Sequence, residues 1–336
     1  YGANALGGLI YMRSIEPSAS RDGRLQLTLG EDDAVSLGAA FGGALNDDET
    51  VVFRLSAQRF ESDGFRSNSY LGRKDTNKRD ETGVRFGLGF KPSRSIDGLL
   101  SVIYSNVDDG YDAFSLDNTY TMLSDKPGRD AQESIGASLR FDWGDIGSGS
   151  LTSITALASS DIDFSYDADW GNDDSWAPVL YDYISVSNRQ RDTVSQEFRY
   201  TTSKWLFGFY ALSLSEDLAT LNQGEYYDPG YDWADSLDYP FDSDYRSTNV
   251  ALFTQYDHEL SDVTRFSAGI RVEHRMTDYS DTDGFSADPS DSLWGGELSV
   301  SHDFSGQATG FATLSRGYKA GGFNLGVVPD NWRYFD

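Results

Sequence analysis

The sequence predicts an all-β protein, a transmembrane antiparallel β-barrel, and three observations lead to this prediction. About thirteen stretches alternate apolar and polar residues with period two, as in a strand whose successive side chains point to opposite faces of a sheet. Most of them are about ten to thirteen residues long, which suits a tilted strand that crosses a bilayer better than a soluble strand. Short turns and long connections alternate between them, as in outer-membrane barrels.

The composition favours strands and excludes other classes of protein. The 336 residues include 34 glycines, 20 tyrosines, 20 phenylalanines and 7 tryptophans, and no apolar run is long enough for a transmembrane helix. The absence of cysteine excludes disulfides and thiolate metal sites. Because the formal net charge is −27, the chain lacks the basic surface that nucleic-acid binding requires.

The stretch 262–278 shows the alternation most clearly. Phe266, Ile270 and Val272 fall on one face, which is predicted to meet lipid, while three arginines and Glu273 fall on the other. The charged face is predicted to line a polar lumen, because unpaired charges do not enter lipid. The predicted strands, in chain order, are 24–30, 34–45, 50–60, 81–91, 98–107, 131–143, 150–161, 189–200, 205–216, 246–259, 263–277, 292–303 and 307–318.

The connections between the strands follow a rule. Short turns near 46–49, 92–97, 144–149, 201–204, 259–262 and 303–306 alternate with long loops at 61–80, 108–130, 162–188, 217–245 and 278–291. Only the first hairpin, which turns at 31–33, breaks this alternation. The short turns are predicted to face the periplasm and the long loops the cell exterior. Because bacterial barrels have even strand numbers, we expect more strands beyond residue 336.

Two motifs resemble those of the TonB-dependent outer-membrane receptors. The opening YGANALGGLIY looks like the segment that closes their plug domain, and it supplies Gly2, Asn4, Gly7 and Gly8. The later motif SRGYKAGGFN resembles a mid-barrel signature, and it supplies Arg316, Gly317, Tyr318, Lys319, Gly321, Gly322, Phe323 and Asn324. Segments at 194–200, 205–212 and 251–274 resemble the family's strands in the expected order. Ala3 departs from the family, which commonly has a basic residue there.

The resemblance implies an incomplete barrel of the large plugged type, with about thirteen strands of a larger even-numbered barrel. Residues 1–20 would end the plug domain, and residues 21–336 would begin the barrel, in the outer membrane of a Gram-negative bacterium. The implied function is energy-coupled uptake of a ferric siderophore or similar iron chelate, without enzymatic activity or cofactor. The coupling protein of the TonB type would bind a segment upstream of Tyr1. The alternatives are import of an oligosaccharide by the same class, or a passive porin or surface adhesin.

Ligand recognition is expected in the long loops. Flat aromatic rings offer a large contact surface at little entropic cost, and they accompany nine acidic residues and no basic one between Glu216 and Asp244. The candidate ligand-binding residues are Tyr166, Trp170, Trp176, Tyr226, Tyr227, Tyr231, Trp233 and Tyr239. The alternative is a solvated loop whose rings pack on one another.

The remaining polar residues are predicted to have structural roles or no specific role. The lumen candidates are expected to form ion pairs that help to seat the plug: Glu197, Arg199, Arg265, Arg271, Glu273 and Arg275. The aspartates at 167–174 and 281–283 lack the spacing of an EF-hand loop, so no metal site is predicted. An acidic mouth would repel a strongly anionic chelate unless basic residues of the lumen receive it.

Overall fold

The computed structural model describes residues 13–326 and 328–335, and a single antiparallel sheet dominates it. Each strand of this sheet pairs with its neighbours in sequence, and β1 and β13 are its two edges, so the sheet is not closed within the described residues. The strands are β1 (Asp22–Leu29), β2 (Val35–Ala44), β3 (Val51–Ser62), β4 (Arg79–Ser93), β5 (Ile96–Tyr111), β6 (Gly128–Ile146), β7 (Gly149–Asp167), β8 (Leu180–Thr201), β9 (Trp205–Asp228), β10 (Trp233–Ser261), β11 (Thr264–Asp281), β12 (Ser290–Ser305) and β13 (Ala308–Arg316).

Several two-residue strands and a short helix lie outside the thirteen main strands. Ser67–Asn68 pairs in parallel with Thr121–Met122, and Ser286–Ala287 pairs with β11. Gly322–Phe323 pairs with Tyr334–Phe335, which follows the helix α1 (Asp330–Arg333). No helix among residues 13–326 and 328–335 is long and apolar enough to cross a membrane.

All thirteen predicted strands are present and in the predicted order, but the prediction of long loops was wrong in part. The segment 217–245 is not a loop, because β9 continues to Asp228 and β10 starts at Trp233, and 24 pairs of residues join the two strands. Likewise β7 extends to Asp167 and β8 starts at Leu180. The longest strands therefore exceed the nine to eleven residues that cross a bilayer, and their far halves form tall hairpins.

The two faces of the sheet differ as the period-two pattern predicts. We call the face that carries Arg271, Glu273 and Arg275 the inner face. The opposite face, which carries Ile270 and Val272, is the outer face. Glu273 and Arg275 are buried, whereas Ile270 and Val272 are nearly half exposed. The antiparallel registers extend this assignment to the other strands, because directly paired residues share a face.

An apolar band covers the lower part of the outer face. Large side chains that are about half exposed follow one another from strand to strand: Leu157, Val194, Phe207, Leu252, Ile270, Val272 and Leu298. Near the short turns, Trp205 packs on Tyr256 and Phe207 with ring centroids 4.6 and 5.4 Å apart. Above the band the outer face becomes acidic, and aspartates line a groove of about 470 Å³ there: Asp161, Asp163, Asp217, Asp242 and Asp244. An apolar band with an aromatic border is the outer surface of a membrane barrel.

The first described residues lie against the inner face. A Cβ on Gly87 of β4 would stand 3.0 Å from Cγ of Pro17, so a side chain at this position would require Pro17 to shift. Glu16 Oε1 lies 3.5 Å from Arg140 Nη1 of β6. Residues 13–20, which we call the N-terminal segment, thus run along the inner face of the sheet. The motif residues Gly2, Asn4, Gly7 and Gly8 lie outside the described residues.

Candidate ligand-binding site on the upper inner wall

Three groups of aromatic rings follow one another along the inner face, on the side of the long connections. The first group joins β5, β7 and the connections that follow them. The ring centroids of Tyr111 and Phe164 are 4.7 Å apart, and Phe114 stacks on Trp170 at 5.2 Å. Phe114 also contacts Tyr166 edge to face at 6.1 Å. Backbone pairing of β5 with β6 and of β6 with β7 puts Tyr111 and Phe164 on one face, and Phe114 and Trp170 reach them from the connections.

The second group lies at the tops of β8, β9 and β10. Trp176 packs edge to face on Tyr181 at 5.3 Å, and Tyr181 contacts Tyr183 at 5.0 Å. Tyr226 bridges to the next hairpin, because its ring lies 6.2 Å from Tyr181 and 4.9 Å from Trp233. The strand registers put all four strand residues of this group on the inner face.

The third group is built where the chain after β13 returns to the inner face. Phe323 stacks on Tyr279 with the centroids 4.2 Å apart. Arg333, which is only 1% exposed, lies 5.6 Å from the ring centroid of Phe241 and is paired with Asp283 at 3.0 Å. Tyr239 donates a hydrogen bond of 2.6 Å to the same Asp283. Burial and this contact raise the pKa of Tyr239 to about 12.

The structure places six of the eight residues predicted to bind ligand in or beside these three groups. Tyr166 and Trp170 belong to the first group; Trp176, Tyr226 and Trp233 belong to the second; Tyr239 adjoins the third. Tyr227 lies on the outer face of β9, and Tyr231 is 85% exposed at the hairpin tip, so neither joins the wall. Sequence reasoning left these ring partners out of the candidate site: Tyr111, Phe114, Phe164, Tyr245, Tyr279, Phe285 and Phe323. For Tyr111, Phe164, Tyr245 and Tyr279 the period-two position in the upper part of a strand was the available signal; Phe114, Phe285 and Phe323 lie outside the long strands and gave none.

Asp169 organises the connection between β7 and β8. Its Oδ1 accepts hydrogen bonds from the backbone N of Gly171 and Nε1 of Trp176, and its Oδ2 accepts one of 2.8 Å from the N of Tyr183. The neighbouring Asp167 is also buried and accepts from the backbone N of Asp169. Burial, with the charge of Asp169, raises the pKa of Asp167 to about 7. Among the described residues, no three acidic or histidine side chains form a group that could hold a metal ion.

Charged side chains of the inner face pair below the aromatic groups. Glu197 pairs with Arg199, and Arg271 Nη2 lies 2.6 Å from Glu273 Oε2. Arg265 is exposed, 3.9 Å from Asp303. Arg275 instead bonds Tyr245, Ser247 and the carbonyl oxygen of Gly321. Two arginines not considered from the sequence, Arg189 and Arg191, share Glu216.

Residues of the SRGYKAGGFN motif hold the chain after β13 against the inner face. The hydroxyl of Tyr318 donates to Glu273 Oε2 at 3.0 Å, and Gly321 accepts from Arg275 at 2.9 Å. Asn324 donates through Nδ2 to the carbonyl oxygen of Trp332. Arg316 differs, because it ends β13 on the outer face with its guanidinium 3.8 Å from the ring centroid of Trp294. The motif therefore combines an outer cation–π contact with an inner anchor.

These features define a class of protein. A large antiparallel sheet with an apolar outer band, a charged inner face and tall hairpins on one side is the architecture of large outer-membrane barrels.

Solved structures narrow this class to the fold of TonB-dependent receptors. The ferric yersiniabactin uptake receptor FyuA from Yersinia pestis matches 94% of the chain and 49% of its own length, with a TM-score of 0.73 and 14% identity. The siderophore receptor PiuA from Acinetobacter baumannii matches 94% of the chain and 52% of its own length, with a TM-score of 0.66 and 12% identity. The copper transporter OprC matches 91% of the chain and 46% of its own length, with a TM-score of 0.60 and 14% identity.

The chain thus spans about half of the length of these structures. At this level of identity the likeness establishes the fold. No protein-family model matches the sequence, and no curated protein is detectably similar to it.

Proposed function

We propose that this chain forms the core of an outer-membrane receptor for the energy-coupled uptake of a scarce solute, with a ferric siderophore or similar iron chelate as cargo. In this proposal the aromatic groups of the upper inner wall receive the cargo from outside. A plug domain ending near residue 20 blocks the lumen, and a coupling protein of the TonB type, bound upstream, moves it. The proposal assigns no catalytic role to any residue.

The observation that carries the proposal is the course of the N-terminal segment along the inner wall. Pro17 packs against Gly87, and Glu16 approaches Arg140, so the chain enters the sheet from the lumen side. A passive porin needs an open lumen and gains nothing from a segment there. In a plugged receptor, the chain must leave the plug inside the barrel before it forms the first strand.

Iron chelates are the favoured cargo because the fold matches uptake receptors for them and because the inner wall offers many rings. Flat ring faces complement the conjugated or ring-containing ligands of ferric chelates. Six predicted aromatic residues and several unpredicted partners converge on the same wall. An oligosaccharide is the second candidate, because ring stacking beside carboxylates such as Asp235 also suits sugars.

Uptake in cells tests the proposal directly. Radiolabelled ferric chelates of the hydroxamate and catecholate classes would be supplied to a strain that carries the full-length gene, with and without a functional coupling complex. We expect saturable uptake of one class that is lost when the complex is absent. Uptake that does not depend on the complex would refute active transport, and uptake of labelled maltodextrins alone would favour the oligosaccharide. A strain without the gene is the control.

A further inference from the structure

The second aromatic group stands beside one exposed carboxylate. Asp235 lies directly across from Tyr226 in the ladder between β9 and β10, so both side chains point to the inner face. Burial and the charge of Asp235 raise the pKa of Tyr183. Asp235 is exposed and lies on the same face of the sheet as the rings of this group.

Basic residues of the neighbouring strands and connections are already paired with acids. Lys126 pairs with Asp182, and Arg189 lies 3.4 Å from Glu216. Further round, Arg333 is held by Asp283 and Asp281. Between residues 216 and 245 there is no basic residue at all. A polyanionic cargo would therefore meet uncompensated negative charge at the hairpin tops, which slows its approach and weakens its binding.

A carboxylate and electron-rich ring faces attract the same chemical group, which is a cation. We infer that the rings of Tyr183, Tyr226 and Trp233, together with Asp235, hold a positively charged part of the cargo such as a protonated amine. The cargo is then a neutral or cationic chelate rather than a polyanionic one. This inference rests on the proposed function and adds the charge of the cargo to it.

A pair of matched probes tests the inference on the full-length receptor in detergent. One probe is a ferric trihydroxamate with a free primary amine, and the other is the same compound with its amine acetylated. We expect the amine-bearing probe to bind about tenfold more tightly, because the acetylated form loses both the cation–π contact and the ion pair. A ferric tris-catecholate, which is polyanionic, should bind more weakly than either.

Two variants of β10 localise the effect. Asp235→Asn should remove most of the preference for the amine-bearing probe and leave the binding of the acetylated probe unchanged. Asp238→Asn is the matched control, because Asp238 is an exposed aspartate on the same strand but on the outer face. Equal binding of the two probes, or equal effects of the two variants, would overturn the inference.

Failure of the proposed function would be recognisable separately. If no ferric chelate bound or entered the cell, iron uptake would be wrong, but a titration with tetramethylammonium ion would still decide the inference. Saturable binding heat in calorimetry that Asp235→Asn abolishes and Asp238→Asn preserves would support a cation site in the wall. Absence of any such binding would overturn it.

Discussion

The buried ion pair on β11 offers the sharpest test of the inner-face assignment. The side chain of Glu273 has no exposed surface and bonds three partners, with Arg271 at 2.6 Å, Asn249 at 2.7 Å and Tyr318 at 3.0 Å. The change Glu273→Gln keeps the volume but leaves the guanidinium of Arg271 without its carboxylate. Breaking one side of a buried ion pair costs about 3–5 kcal/mol. Since Arg271 remains 14% exposed, we expect a loss near the lower limit, about 3 kcal/mol.

Removing both charges should cost less than removing one. In Arg271→Met/Glu273→Met no isolated charge remains, so the double variant is expected to be more stable than either single variant. The exposed pair Arg265–Asp303 provides the control, and Asp303→Asn should cost less than about 1 kcal/mol.

The assay is equilibrium unfolding of the full-length receptor in lipid vesicles by guanidinium chloride, followed by tryptophan fluorescence. Hydrogen exchange of residues 317–326 would report in parallel on the anchor that Tyr318 provides. The inner-face assignment of Glu273 would be refuted if Glu273→Gln cost no more than Asp303→Asn. It would also be refuted if the cost of the double variant equalled the sum of the single costs.

Three other outcomes are expected. Because the pKa of Asp167 rises to about 7 from an ordinary 3.8, the folded state keeps a proton that the unfolded state releases. The free energy of local unfolding, measured by hydrogen exchange, should be greatest below about pH 4 and should fall as the pH rises through about 7. In Asp167→Asn it should show no such fall. Gly87→Val should displace the N-terminal segment and expose it to protease, whereas Gly83→Val, where a Cβ meets nothing within 4 Å, should not. Leu252→Arg should lower the free energy of unfolding in vesicles by about 2–4 kcal/mol. Asp238→Arg, above the apolar band, should lower it by less than about 0.5 kcal/mol. Equal losses would contradict the placement of the band.

The failed loop prediction shows what local pattern misses. In the upper part of β10 the alternation continues, with Tyr239, Phe241 and Tyr245 on the inner face and Asp242 and Asp244 on the outer face. Aspartates replace aliphatic residues because this part of the outer face lies above the apolar band. A strand whose two faces are polar and aromatic resembles a loop in composition, although its ladder of hydrogen bonds is unbroken.

The sequence by itself determined the number and order of the strands and, within their predicted bounds, which residues share a face, because both follow from period two and the length of the connections. It did not determine the candidate site. Tyr111 and Phe164, or Tyr279 and Phe323, are far apart in the chain, and only the register of intervening strands and the return of the chain after β13 bring their rings into contact. The tertiary structure also decided that Asp235 lies beside Tyr226, because the pairing of β9 with β10 above the apolar band was not predicted.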